Sequence, residues 1–204
     1  MDSAFVITIF FTLLGPIKII PAFAGLTQGT DQKFKRAVAV RGALLASALC
    51  AFIVLAGTTL VSRFHLQVDA IRIAGGLVLL ISALNVIFAK PATATPTAQT
   101  RTPMQIAVSP LAVPVIVTHA GVAAILILLL HESVYPGLTQ VVVFCLALMM
   151  VLDFLVMYFN DAVLKIPGLT LALAVVGSVL IFIQACLATQ MILVGLKLMN
   201  PGNF

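Results

Sequence analysis

Apolar residues run along this chain in six long blocks, not in the three-and-four spacing of a soluble helix. The blocks cover residues 4–26, 37–61, 68–88, 106–130, 140–159 and 169–198. Each reaches the roughly 20 residues that carry a helix across hydrocarbon. The ten-residue alternation of a transmembrane barrel is missing from the sequence. The pattern predicts an all-α membrane protein with six transmembrane helices. The last block exceeds one crossing, so it is expected to tilt, bend near Gly177 or run past the bilayer.

Two blocks are interrupted from within. The first contains Gly15-Pro16-Ile17-Lys18-Ile19-Ile20-Pro21, and the fourth opens with Ser109-Pro110-Leu111-Ala112-Val113-Pro114, followed by Thr118-His119-Ala120-Gly121. Proline lacks an N–H and clashes with the carbonyl four residues back. The carbonyls of Thr12, Ile17, Ile106 and Pro110 therefore lose their helical partners. In hydrocarbon an unpaired carbonyl costs several kcal/mol unless protein or water reaches it. The other four blocks hold no internal proline.

The third and sixth blocks also resemble each other, Ile81–Ile87 against Cys186–Ile192, with Asn85 and Gln190 in matching places 105 residues apart. Three is odd, so a second copy of a three-helix unit must insert upside down. The sequence thus predicts two inverted three-helix repeats, residues 1–88 and 106–204, the first helix of each broken at its prolines. An Ala-, Thr- and Pro-rich stretch, 89–105, is expected to be a flexible cytoplasmic linker between them. Paired interrupted helices in inverted repeats point to a transport site near the midplane.

Composition and charge narrow the class. Of 204 residues, 62% are hydrophobic and 8% charged, which leaves too little interior in a soluble domain of this size to hide the apolar surface. The net charge of +5 is scattered among apolar runs, so no nucleic-acid surface is expected. Lys33, Lys35, Arg36, Lys90, Arg101 and Lys165 fall between blocks, and Arg41 just inside the second, on one side; Arg63, Arg72 and Lys197 fall on the other. Excess basic charge stays in the cytoplasm, which predicts external termini. Met1-Asp2-Ser3 carries no basic region, so the first block is expected to stay as a helix and not to be cleaved. Cys50, Cys145 and Cys186 lie far apart in apolar runs and read as packing residues. Small residues at helical spacing (Gly42, Ala46, Cys50; Ala43, Ser47, Ala51; Ala74-Gly75-Gly76) read as helix-packing faces.

The polar residues inside the blocks are the candidate chemistry. Lys18 would hold a substrate carboxylate, or else snorkel to the headgroups. His119 would donate to substrate or titrate as a coupling site, or else satisfy a freed carbonyl; either way it is expected to line the interior. Asp153 would carry a proton or neutralise Lys18, or else sit at the interface bound to water. Asn85 and Gln190 would orient substrate or bond between helices. His131, Glu132 and Tyr135 are expected to be solvated in a loop, and Tyr158 to anchor at the interface. No metal-ligand spacing, cofactor fingerprint or catalytic constellation is present, so neither an enzyme, a metal nor a cofactor is expected.

Four stretches carry a family resemblance. Gly15–Phe23 with Leu26-Thr27, Ile71-Arg72-Ile73-Ala74-Gly75-Gly76, Pro110–Pro114 and Ala188-Thr189-Gln190-Met191-Ile192-Leu193-Val194-Gly195 resemble, in order, the signatures of the MarC family of six-span membrane proteins. The resemblance implies a bacterial inner membrane, inverted repeats, and kinship with small neutral amino acid transporters. The chain departs from the family pattern where a substrate would be read: Gly15 replaces Asn, Lys18 replaces Gly, Thr118-His119-Ala120 replaces Gly-Pro-Gly, and Val194 replaces Asp.

The expected function is secondary transport of a small zwitterionic metabolite, a small neutral amino acid foremost. Gly15, Pro16, Ile17, Lys18, Pro21, Pro110, Pro114, Thr118, His119, Ala120, Gly121, Asn85 and Gln190 would form the site, and Asp153 or His119 would serve a coupling proton or sodium ion. The lipid bilayer is the other partner, and assembly with further copies of the chain is left open. The alternative is a non-transporting membrane protein that assembles with or regulates a partner.

Overall fold

The structure is a computed structural model describing residues 3–88, 102–130, 132, 135–165 and 168–199. Among these residues it is all helical, without strands. Five helices are long and apolar enough to cross a membrane, or six if one bent pair counts as a span.

The first block becomes α1 (Ser3–Leu14) and α2 (Pro16–Leu26), meeting at Gly15. Pro16 takes the first helical position, where a missing N–H costs nothing. Pro21 lies inside α2 without ending it, so the interruption is confined to Gly15. A Cβ at Gly15 would lie 2.0 Å from the Phe11 carbonyl oxygen, which leaves glycine as the residue that fits. Helix α3 (Gln32–Arg63) is capped by the Asp31 carboxylate, which accepts from the Phe34 N–H. Helix α4 (Val68–Ile87) follows a short turn.

The fourth block is more distorted. Thr102 closes a capping box with Gln105 over α5 (Pro103–Ile106), so the end of the predicted linker is helical, a difference set by that cap. Residues 89–101 lie outside the described residues. The stretch Ala107–Ile116 is kinked and holds two extended residues, Ser109 and Val113. Each precedes a proline, a position where the helical region is disfavoured. Helix α6 (His119–Leu130) then leaves at 56° to the stretch before it. Helices α7 (Leu138–Tyr158), α8 (Asn160–Leu164) and α9 (Leu169–Met199) complete the chain. Helix α9 is unbroken at Gly177.

Helices α1, α2, α3, α6 and α7, with Ala107–Ile116, enclose one core in which Phe10, Phe23, Ile116, Ile125, Met149 and Met157 are fully buried. Outward faces are equally apolar: Leu55, Leu171 and Phe182 project away from the protein. That inversion suits lipid, which is as apolar as the side chains it meets. The face of Gly42, Ala43, Ala46 and Cys50 is buried, as its spacing predicts. Cys145 is buried too, but Cys186 faces outward on α9 and does not pack.

Helices α4 and α9 pack along each other, to one side of that core. Their approach depends on glycine: a Cβ on Gly76 would lie 2.7 Å from Ile192 Cγ1 and 2.8 Å from the Ala188 carbonyl oxygen. Gly76→Ala is expected to cost about 1–3 kcal/mol, read as a lower melting temperature in detergent. Gly177→Ala, where a Cβ meets nothing within 4 Å, is expected to be neutral or stabilising by up to about 1 kcal/mol.

The turn before α7 corrects one expectation. Glu132 is not simply solvated; its carboxylate accepts from the backbone N–H groups of Gly137 (2.8 Å) and Thr139 (2.6 Å) at the start of α7. The Thr139 N–H first, then that of Gly137, holds the carboxyl below its ordinary 4.5. This contribution is present above that value and is lost as pH falls through the lowered one. Glu132→Gln is therefore expected to flatten the loss of thermal stability as pH drops below 4.5. Tyr135 is exposed, and His131 lies outside the described residues.

Candidate functional site

The α1–α2 junction is where predicted site residues converge. The Thr118 hydroxyl accepts from the Gly121 N–H at 3.0 Å, capping α6, and donates to the Leu13 carbonyl at 3.4 Å. A Cβ on Gly121 would lie 2.7 Å from Leu14 Cδ2, so the first turn of α6 sits directly on the end of α1. Gly15, Thr118, Ala120 and Gly121 are thus brought together, with Ala120 and Gly121 buried.

One helical turn into α2, Lys18 is half-buried and within electrostatic range of Asp153 on α7. Asp153 is 1% exposed, and neither carboxylate oxygen has a hydrogen-bond partner among the described residues. No contact ion pair joins it to Lys18 among the described residues; the pairs there are Lys35–Asp161 at 2.7 Å and Arg72–Asp69 at 3.1 Å. The interfacial, water-bound reading of Asp153 does not hold, because its face packs inward. Met149, Met157 and Asn160 on the same face are buried, and Asn160 donates to the Ile20 carbonyl at 3.2 Å. A basic and an acidic side chain therefore lie within electrostatic range of each other without a contact pair between them.

Other predicted residues fall elsewhere. His119 does not line the interior: it is exposed at the start of α6, because the Thr118 cap turns Ala120 and Gly121 inward. Pro110 is half-buried, while Pro114 is exposed on the distorted stretch. Asn85 and Gln190 are both exposed, since the α4–α9 seam is made by glycine and aliphatic residues. Tyr158 is half-buried beneath the Arg36 guanidinium, 5.0 Å from its ring centroid, at the basic end of the molecule.

Two cavities flank this centre. A cleft of 690 Å³ between α3 and α7 is lined by Ala43, Ser47, Cys50, Met150 and Phe154 among others. Cys50 lies within electrostatic range of Asp153. A smaller cavity of 230 Å³ reaches Leu13, just before the junction, and is lined also by Arg72 and Gln190. Neither is lined by residues of both interrupted stretches. No metal-binding group of His, Cys, Asp and Glu exists among the described residues.

Residues 3–200 match the model of the MarC family integral membrane protein. The membrane protein YvbG of Bacillus subtilis is 26% identical, over 98% of each chain. The inner membrane protein YhgN of Escherichia coli is 26% identical over 93% of each, and a membrane protein of Methanocaldococcus jannaschii is 25% identical over 97% of this chain and 98% of its own. No solved structure matches the chain.

Proposed function

The chain belongs to the MarC family of integral membrane proteins, and we propose that it is a secondary transporter of a small zwitterionic metabolite, a small neutral amino acid foremost. The observation that carries this reading is the buried Asp153 carboxylate, with both oxygens unpartnered, across from Lys18 beside the α1–α2 junction. A carboxylate without hydrogen bonds in such a place is expensive, and ionisable groups inside a membrane are kept where an ion or substrate meets them. A proton, a sodium ion or a substrate ammonium would neutralise Asp153. A substrate carboxylate would go to Lys18 and to the first N–H groups of α2, where the helix carries partial positive charge.

Internal symmetry supports a carrier. Two bonds between the halves, Thr118 to the Leu13 carbonyl and Gln184 to the Leu79 carbonyl, each join residues 105 apart. That is the sequence offset between Asn85 and Gln190, and positions astride a two-fold axis touch their own equivalents. In this reading the repeats are inverted, the first helix of each is interrupted, and alternating access comes from rocking one body against the other. By analogy with the named location of the E. coli relative, the membrane is a bacterial inner membrane, with the termini opposite the lysine-rich loops. No enzymatic step is invoked.

The test is uptake of labelled glycine, alanine and a panel of acids into proteoliposomes under an imposed proton or sodium gradient. Saturable uptake that disappears in Asp153→Asn is expected; no uptake or exchange of any member would sink the proposal. The apolar cleft between α3 and α7 favours the alternative of a non-transporting protein that assembles with a partner. That reading predicts instead that Ala43→Trp disrupts association and Asp153→Asn changes nothing.

A further inference from the structure

We propose that the cleft between α3 and α7 holds one acyl chain of an anionic phospholipid, whose phosphate is taken by Arg36 and Lys33 at the basic end of the cleft. The inference goes beyond the carrier reading and does not rest on it.

The lining selects hydrocarbon. Cys50 and Met150 form the buried floor, and Leu44, Leu55, Val143 and Val151 stand exposed along the rims, open to lipid from the side. Among the described lining residues the Ser47 hydroxyl is the one side-chain oxygen, so a sugar, an ion or a polar peptide would shed water without gaining partners. Size then separates two apolar occupants. From Val40 to Leu55 the cleft follows α3 for about 22 Å at the helical rise per residue. A transmembrane helix of that length, about 10 Å across, fills about 1,700 Å³, more than twice the 690 Å³ present. At about 30 Å³ per water-sized group, the cleft takes about 23 methylene groups. That is room for one ordinary acyl chain and too little for two.

The basic end supplies the charge. On α3 the lining positions Val54, Cys50, Ser47, Ala43 and Val40 recede by four and three residues in turn, and the same step leads to Arg36 and then Lys33. Both basic residues therefore continue the face that lines the cleft. On α7, Phe154 lines the cleft and Tyr158 stands one turn beyond it, their ring centroids 5.6 Å apart. The Arg36 guanidinium lies over the Tyr158 ring, 5.0 Å from its centroid, which holds the cation at the mouth of the cleft. Arg36 and Lys33 are exposed, and neither has a hydrogen-bonded or ion-pair partner for its side chain among the described residues. Lys35 is already engaged by Asp161. Guanidinium and ammonium together suit a phosphate, and basic side chains at the membrane surface attract anionic lipid. A zwitterionic headgroup would bring its own ammonium against the same two cations.

The chain contains no tryptophan. Leu44→Trp on the cleft rim and Phe182→Trp on the outer face of α9, 65% and 66% exposed in the parent protein, therefore give matched single reporters. Each is reconstituted into phosphatidylcholine vesicles with rising fractions of phosphatidylglycerol carrying dibrominated chains, and fluorescence quenching is read. Leu44→Trp is expected to reach half-maximal quenching at a mole fraction at least threefold below that for Phe182→Trp. Adding Lys33→Gln and Arg36→Gln should erase the difference, and dibrominated phosphatidylcholine should quench both reporters alike. Equal quenching of the two reporters by the anionic lipid, or a preference that survives loss of both basic side chains in folded protein, would overturn the proposal. Relief of quenching by sn-glycerol 3-phosphate, the charge without the chain, would assign the basic pair to a soluble phosphate and also overturn it. So would a Leu44→Trp reporter that neither lipid quenches, since a second copy or a partner helix would then cover the cleft. Should the basic pair prove necessary for folding, Ala147→Phe on the cleft wall replaces it: filling the space should abolish the preference, and a retained preference overturns the site.

Discussion

Lys18→Met combined with Asp153→Leu is expected to fold about as stably as the parent protein and to transport nothing. Each single substitution leaves one charge alone in the core, and removing one partner of a buried pair costs up to about 3–5 kcal/mol. Removing both exchanges two desolvated charges for apolar packing, which is often neutral or stabilising by about 1–4 kcal/mol. The measurement is a thermal or denaturant unfolding cycle over the four proteins in one detergent, paired with the uptake assay. A purely structural pair would give the same order of stabilities but would leave uptake intact in the double variant. Among the described residues the two side chains make no contact pair. A pair kept for packing would close the gap, whereas Asp153 keeps both oxygens free.

Gly15→Ala is the second large effect. The added methyl would overlap the Phe11 carbonyl oxygen at 2.0 Å, and that oxygen already accepts the Gly15 N–H at 3.0 Å. Backbone cannot swing aside as a side chain would, so α1 and α2 must reorient. The expected cost is about 3 kcal/mol, the upper end for overpacking, with loss of uptake because α6 rests on the same junction. Gly25→Ala, where a Cβ meets nothing within 4 Å, is the control and should be silent. A Gly15→Ala protein with parental melting temperature and uptake would refute this account of the junction.

Much of the architecture was legible because hydrocarbon imposes length and composition directly. The predicted block 68–88 and helix Val68–Ile87 nearly coincide, as do 140–159 and Leu138–Tyr158. Proline places were legible too, since its covalent ring acts on its immediate neighbours: Pro16 opens α2, and Ser109 and Val113 become extended ahead of their prolines. Pro21 shows the limit, because a helix already held by its surroundings passes through it.

The inward or outward sense of a polar side chain was the hardest thing to read. In a soluble helix the polar face announces itself, but here both faces are apolar, so His119, Asn85 and Gln190 carry no periodic mark of where they point. His119 faces out because the adjacent Thr118 takes the capping role, and Asp153 faces in because α7 is rotated by its packing on α1 and α2.

The sequence by itself therefore determined that the chain lives in a bilayer and where its apolar segments fall. Those follow from local covalent chemistry and from the cost of bare backbone in lipid. Tertiary structure alone decided that Lys18 meets Asp153, that Thr118 reaches Leu13, and that Arg72 shares a cavity with Gln190. Each of these joins residues more than 100 positions apart, and only the rotation and pairing of whole helices can bring such residues together.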